Sequence, residues 1–125
     1  MPPTNRPKYL NLTQIRLPVP ALVSILHRIS GFGMFTFAWA MLWLLQLTLQ
    51  SPEGYTQAAG FAQSWVGKLF LTGIGWAFMH HFFAGLRFLL LDAHIGTELQ
   101  SARRSSWVVL ALGIAGTLVL GVSLW

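Results

Sequence analysis

The chain has 125 residues, room for one small domain, with 8 Lys+Arg against 3 Asp+Glu for a net charge of +5. Hydrophobic residues make up 54% and charged residues only 9%, against about 25% charged in a soluble domain, so the chain cannot cover a water-facing surface. The cations are dispersed rather than gathered in a stripe, which excludes nucleic acid as a natural partner. The absence of cysteine excludes disulfides, thiolate-held iron–sulfur clusters and Cys-x-x-Cys-His haem attachment within this chain, and leaves histidine as the ligand for any metal.

Residues 1–20 read as a polar, extended lead with Arg6, Lys8 and Arg16; they hold Pro2, Pro3, Pro7, Pro18 and Pro20 and no apolar core, so no cleavable signal peptide is expected. Uncharged runs then follow at 29–52, 69–86 and 105–125. About 20 apolar residues rising 1.5 Å each cross a bilayer core, so the expected fold is all-α, with three transmembrane helices. The first is expected over about 21–50, opening near Pro20, where proline suits a helix start. Ser51-Pro52-Glu53-Gly54 is a stop and turn, and 51–64 forms a loop in which 55–64 has the composition of a short interfacial helix. The second span covers about 65–92, a polar loop 93–105, and the third span about 106–125.

The lead and the second loop, with Arg103 and Arg104, carry the cations, while the first loop has no Lys or Arg and only Lys68 near it. The positive-inside rule then places the N-terminus and the second loop in the cytoplasm, and the first loop and Trp125 outside. Trp65, Trp107 and Trp125 stand at span ends, as an aromatic belt does. The many glycines, including Gly73-x-x-x-Ala77, are either ordinary membrane-helix composition or a surface for close approach by a partner or a flat cofactor.

Ionisable groups at membrane depth each need an explanation. Ser24, His27, Arg28 and Gly31 fall at i, i+3, i+4 and i+7, one face of the first span. Arg28 either snorkels to the headgroups or lines a polar pocket just inside the inner surface. On the second span His81, Gly85 and Asp92 share nearly one face, and His80 and Arg87 form the neighbouring stripe. A glycine four residues after a histidine leaves a flat slot beside the imidazole where a porphyrin edge fits; the alternative is a histidine hydrogen-bonded across a helix interface. Counting at 1.5 Å per residue, His81 lies about 16 Å deep and His27 about 9 Å. They are therefore poor axial partners for one iron, and a second ligand is expected from another subunit. Arg28 and Arg87 lie between His81 and the inner surface, placed to pair with propionates or to act as helix glue. His94, Glu98, Arg103 and Arg104 are solvated or dock a soluble partner. Met34 and Met41 read as lipid-facing or packing residues, and Met79 as either packing or a competing iron ligand.

These clusters give the sequence a family likeness. It resembles the cytochrome b-type membrane-anchor subunit of bacterial succinate:quinone oxidoreductase, in Arg6-Pro7, Leu10-Asn11-Leu12, Ile15-Arg16, Pro18 and Ser24-Ile25-Leu26-His27-Arg28-Ile29-Ser30-Gly31, and again in His81-Phe82-Phe83-Ala84-Gly85-Leu86-Arg87 closing at Asp92. The resemblance implies a bundle completed by a second hydrophobic anchor subunit in the bacterial inner membrane, with flavoprotein and iron–sulfur subunits on the inner face. It implies haem b with His81 as an axial ligand of the iron, His27 and Arg28 near the propionates, and ubiquinone as substrate at Ser24 and Arg28; no catalytic residue for succinate lies in this chain. Where the family often has a histidine after the second arginine, this chain has Phe88. Fumarate reduction, a proton-coupled transporter using Arg28, His81 and Asp92, and a cofactor-free structural anchor are the competing readings.

Overall fold

A computed structural model describes residues 16–125. The expected lead features at Arg6, Pro7, Lys8, Leu10-Asn11-Leu12 and Ile15 lie outside the described residues. Four helices follow in order: α1 Val19–Gln50, α2 Pro52–Gln63, α3 Trp65–Asp92 and α4 Leu99–Leu124. Three of them, α1, α3 and α4, are long and apolar enough to cross a membrane. The large side chains they expose, Phe32, Phe35, Trp39 and Val122 among them, would be an aggregation liability in water and are ordinary against lipid. This is a multi-pass, all-α membrane protein.

Pro18 precedes α1 as its N-cap and Pro20 sits in its first turn, positions where a missing N–H costs nothing. The turn at Ser51 starts a helix rather than a loop. Its Oγ accepts the Gly54 N–H at 3.0 Å, Pro52 occupies the first position and Glu53 the first turn, the arrangement that favours a helix N-terminus. Ser64 then closes α2 and opens α3: its N–H donates to the Gly60 and Phe61 carbonyls, and its Oγ accepts the Gly67 N–H at 3.1 Å. A Cβ on Gly67 would run into the Phe61 carbonyl, so this corner admits only glycine. Gly67→Ala is expected to destabilise the assembled protein by about 1–3 kcal/mol, the usual cost of overpacking, read as a lowered midpoint of thermal unfolding.

The second corner uses left-handed backbone at His94 (φ 62°) and Gly96 (φ 76°). Helix α4 begins at Leu99, seven residues before the apolar run was expected to start it, because polarity marks the membrane boundary and not the end of helical hydrogen bonding; Ser101, Arg103 and Arg104 lie exposed on its projecting turns.

Apolar packing at the centre is thin: Val23, Ala84 and Val109 are buried, with Phe83, Phe88 and Leu110 against them. Alongside stand buried polar groups, Ser30, His80, Arg87 and Ser106. Lipid-solvated helices gain little from hydrophobic burial and associate through close packing and hydrogen bonds, which suits the small residues here and the hydrogen-bonded Ser30, Arg87 and Ser106. The chain order puts Arg16, Arg28, Arg87, Arg103 and Arg104 toward one end of the bundle, and α2, Lys68 and Trp125 at the other. At that second end the Trp65 and Trp125 rings meet edge to face at 4.8 Å.

Candidate functional site

The two histidine–glycine pairs of the antiparallel helices α1 and α3 interlock. His81 of α3 lies across Gly31 of α1, where a Cβ would come within 2.8 Å of the His81 Cε1, and His27 of α1 lies across Gly85 of α3, where a Cβ would stand 3.7 Å from the His27 Nε2. Each glycine therefore receives the other helix's imidazole, and the two rings stack with centroids 4.0 Å apart and planes 14° from parallel. This corrects two expectations. The slot at Gly85 belongs to His27 and not to His81. The rings of His27 and His81 also meet, although the helical rise separates their backbones in depth. They still do not form an axial pair: imidazole lone pairs lie in the ring plane, so near-parallel stacked rings aim them side by side rather than at one iron.

Hydrogen bonds fix the His81 tautomer. Its Nδ1 is 3.0 Å from the His27 carbonyl and 3.2 Å from the Ser30 Oγ. A carbonyl only accepts, so Nδ1 carries the proton. The Ser30 hydroxyl donates its own hydrogen to the same carbonyl at 2.9 Å, which leaves its lone pairs toward Nδ1. With Nδ1 protonated, Nε2 keeps its lone pair, and it has no hydrogen-bond partner among the described residues. An N–H held by a carbonyl while the second nitrogen stands bare is the usual arrangement of a metal-ligating histidine. Ser30, 1% exposed, was missed in reading the sequence; a small polar residue three positions after His27, at membrane depth, was the available signal.

The other expected residues divide. Ser24 is half-buried and Arg28 exposed. The four-residue cluster of α1 thus splits, with His27 and Gly31 turned into α3 and Arg28 turned outward. Arg87, expected beside the propionates, is 6% exposed and directs its Nε to the Ser105 Oγ at 3.0 Å and its Nη2 to the Ala102 carbonyl at 3.3 Å. It ties α3 to the first turns of α4, because six residues after His81 the helix has turned to another face. Phe88 packs against the His27 ring at 5.1 Å. His80 is 1% exposed, stacked on Trp76 at 5.5 Å and backed by Gly113 of α4; its Nε2 is buried with no partner among the described residues. Met79 packs over Gly116 of α4, away from the histidine pair. His94, Glu98, Arg103 and Arg104 are all exposed.

Among the described residues no group of three or more His, Cys, Asp or Glu gathers into a metal cage. A single pre-oriented imidazole suits an iron whose other bonds come from elsewhere, as in a porphyrin. The fold and this site together define an integral membrane protein with two imidazoles stacked between its first and third helices.

The family model for the succinate dehydrogenase/fumarate reductase transmembrane subunit matches residues 2–120, and the chain belongs to that family. It is similar to the succinate dehydrogenase cytochrome b556 subunit of Paracoccus denitrificans, with 38% identity over 94% of this chain and 88% of the relative. The cytochrome b556 subunit of Coxiella burnetii (strain RSA 493 / Nine Mile phase I) is 31% identical over 96% of this chain and 97% of its own. The cytochrome b560 subunit of Reclinomonas americana is 31% identical over 92% and 83%. The chain is thus a membrane subunit of an enzyme complex, the anchor of a succinate dehydrogenase.

Proposed function

We propose that this subunit binds haem b through the His81 Nε2 and forms part of a ubiquinone-reducing site at Ser24 and Arg28, receiving electrons that partner subunits take from succinate. The observation that carries the reading is the hydrogen-bonded His81 Nδ1, which leaves a basic nitrogen at mid-bilayer facing no protein partner. When bound, the haem supplies a one-electron redox centre. The chain's own part is to orient that imidazole: the His27 carbonyl and Ser30 hydroxyl fix its tautomer, Gly31 makes room for the ring, and His27 covers the opposite face. His81 would hold the iron from this chain, and any further protein ligand would have to come from another subunit, since the stacked His27 cannot supply it.

Arg28 is the cation near the pair that projects from the bundle, and it serves both the propionates and the quinone rim. Arg87 contributes by holding α4 in place. Near the end that carries Arg28, the exposed His94, Glu98, Arg103 and Arg104 offer a charged platform for the flavoprotein and iron–sulfur subunits; in this reading that end faces the cytoplasm and Trp125 the periplasmic side of the inner membrane. A chain without cysteine leaves the clusters to those partners. Succinate oxidation is the favoured direction because the similar proteins are named for it.

Reduced-minus-oxidised spectra of membranes with and without this chain test the proposal. A b-type absorbance present with the chain and absent without it is expected, together with co-purification of two soluble subunits and a second hydrophobic one. A colourless complex of normal composition would leave a purely structural anchor, and vesicles showing proton flux from this chain alone would point to transport.

A further inference from the structure

A groove among the described residues runs from the middle of the bundle toward the end away from Arg28. It has a volume of about 470 Å³ and runs between α1 and α4 over a floor of α3, with Met34, Phe37, Met41 and Leu120 as its walls and Phe78 in its floor. From Met34 to Met41 is seven residues, about 10 Å of helix, and the volume is that of a genuine ligand pocket. Two of its three hydroxyls already donate within their own helix. The Thr117 Oγ1 donates to the Gly113 carbonyl and the Ser123 Oγ to the Leu120 carbonyl, both at 2.7 Å, and the Thr72 Oγ1 accepts the Trp125 indole N–H at 3.3 Å. One hydroxyl hydrogen, that of Thr72, stays uncommitted at the mouth, and the lining is otherwise apolar, so the occupant that fits the length of the groove is hydrocarbon.

The mouth of the groove supplies a charge. Lys68 stands one turn, about 6 Å, before Thr72, with its Nζ 5.2 Å from the centre of the Trp125 ring. It is the only Lys or Arg between Arg28 and Arg87, and Glu53 is the only acid in that stretch. A lone ammonium beside paired tryptophans at interfacial height, above a dry groove, matches a phosphate headgroup joined to an acyl chain. We infer that this groove is a site for an anionic phospholipid, with one acyl chain between α1 and α4 and the phosphate at Lys68. The bound chain fills the space that the two helices leave unpacked, and so acts as a structural element of the bundle.

The test uses the intact complex in detergent, with added palmitoyl-oleoyl phosphatidylglycerol or the corresponding phosphatidylethanolamine, read by native mass spectrometry. The expected result is one phosphatidylglycerol per copy of this chain, held at least tenfold more tightly than phosphatidylethanolamine. Gly121 lines the groove and a Cβ there would meet nothing within 4 Å, so Gly121→Leu puts bulk into the groove and is expected to weaken retention at least tenfold. Lys68→Gln is expected to keep binding but bring the two lipids to within about twofold of each other. Equal retention by Gly121→Leu, or an undiminished phosphatidylglycerol preference in Lys68→Gln, overturns the site. So does ubiquinone released in the lipid's place, or Gly121→Cys cross-linking to a partner chain that covers the groove. Lys68 and Gly121 lie away from the histidine pair, so the b-type spectrum and quinone reduction stay unchanged in both variants whichever way the lipid result falls.

Discussion

His81→Leu is expected to remove the low-spin b-type spectrum from membranes that still contain the subunit. Leucine has no lone pair, and the neighbouring His27 cannot take over: its ring is stacked at 4.0 Å, 14° from parallel with that of His81, and wedged across Gly85. Two gentler variants grade the effect. Ser30→Ala deletes one acceptor at Nδ1 while leaving the His27 carbonyl, a support whose loss typically weakens metal binding about 10–100-fold. Gly31→Ala sets a methyl within 2.8 Å of the His81 Cε1 and pushes the ring out of place. His80→Leu is the decisive control. His80 sits against Trp76 and Gly113 with a buried, unpartnered Nε2, and a buried polar group without a partner costs about 1–3 kcal/mol. An apolar replacement of similar size therefore keeps the spectrum and leaves the protein at least as stable. Loss of the spectrum in His80→Leu with retention in His81→Leu would reverse the assignment of the two rings. Spectra and low-spin electron paramagnetic resonance of the same membranes measure both.

The adjacent histidines show where sequence reasoning reaches and where it stops. Three spans were legible because bilayer thickness and helical rise fix a length that uncharged runs reveal, and the Ser51 corner was legible through its Ser-Pro-Glu-Gly turn chemistry. That His80 and His81 face different neighbours also follows from the 100° step between successive residues. The identity of those neighbours does not. Gly31 and Gly85 each lie four residues beyond a histidine on their own helix, which invites pairing within a helix, whereas antiparallel packing exchanges the partners. Depth alone left Arg87 open between the propionates and helix glue; its hydrogen bonds to Ala102 and Ser105 are those of glue, and they depend on where α4 begins. That start, at Leu99, lies in a polar stretch where hydropathy is silent and only helix propensity speaks. Ser30, the small polar residue three positions after His27, was overlooked because its place at membrane depth does not by itself say which ring it supports.

Arg28→Leu is expected to lower ubiquinone reduction about 10²–10³-fold, the scale on which removing one preorganised donor from a developing oxyanion acts. Electrons reach the quinone before its protons do, and the negative charge that builds on its oxygens is poorly solvated at membrane depth. A fixed guanidinium there is worth far more than the same charge in water. Arg28 is exposed on α1 and stands one turn from Ser24, so both can address one ring system lying against that face. The Ser24 hydroxyl offers a neutral hydrogen bond worth about 0.5–1.5 kcal/mol, so Ser24→Ala is expected to lose tenfold or less, and Arg28→Lys to recover part of what leucine loses. Succinate oxidation by an artificial acceptor is expected to be unchanged in all three, because that step lies upstream of this subunit. The ratio of quinone-linked to dye-linked rates in purified complex separates a damaged quinone site from failed assembly, which would depress both. Full quinone reduction in Ser24→Ala and Arg28→Leu alike would move the quinone to a different face of the bundle.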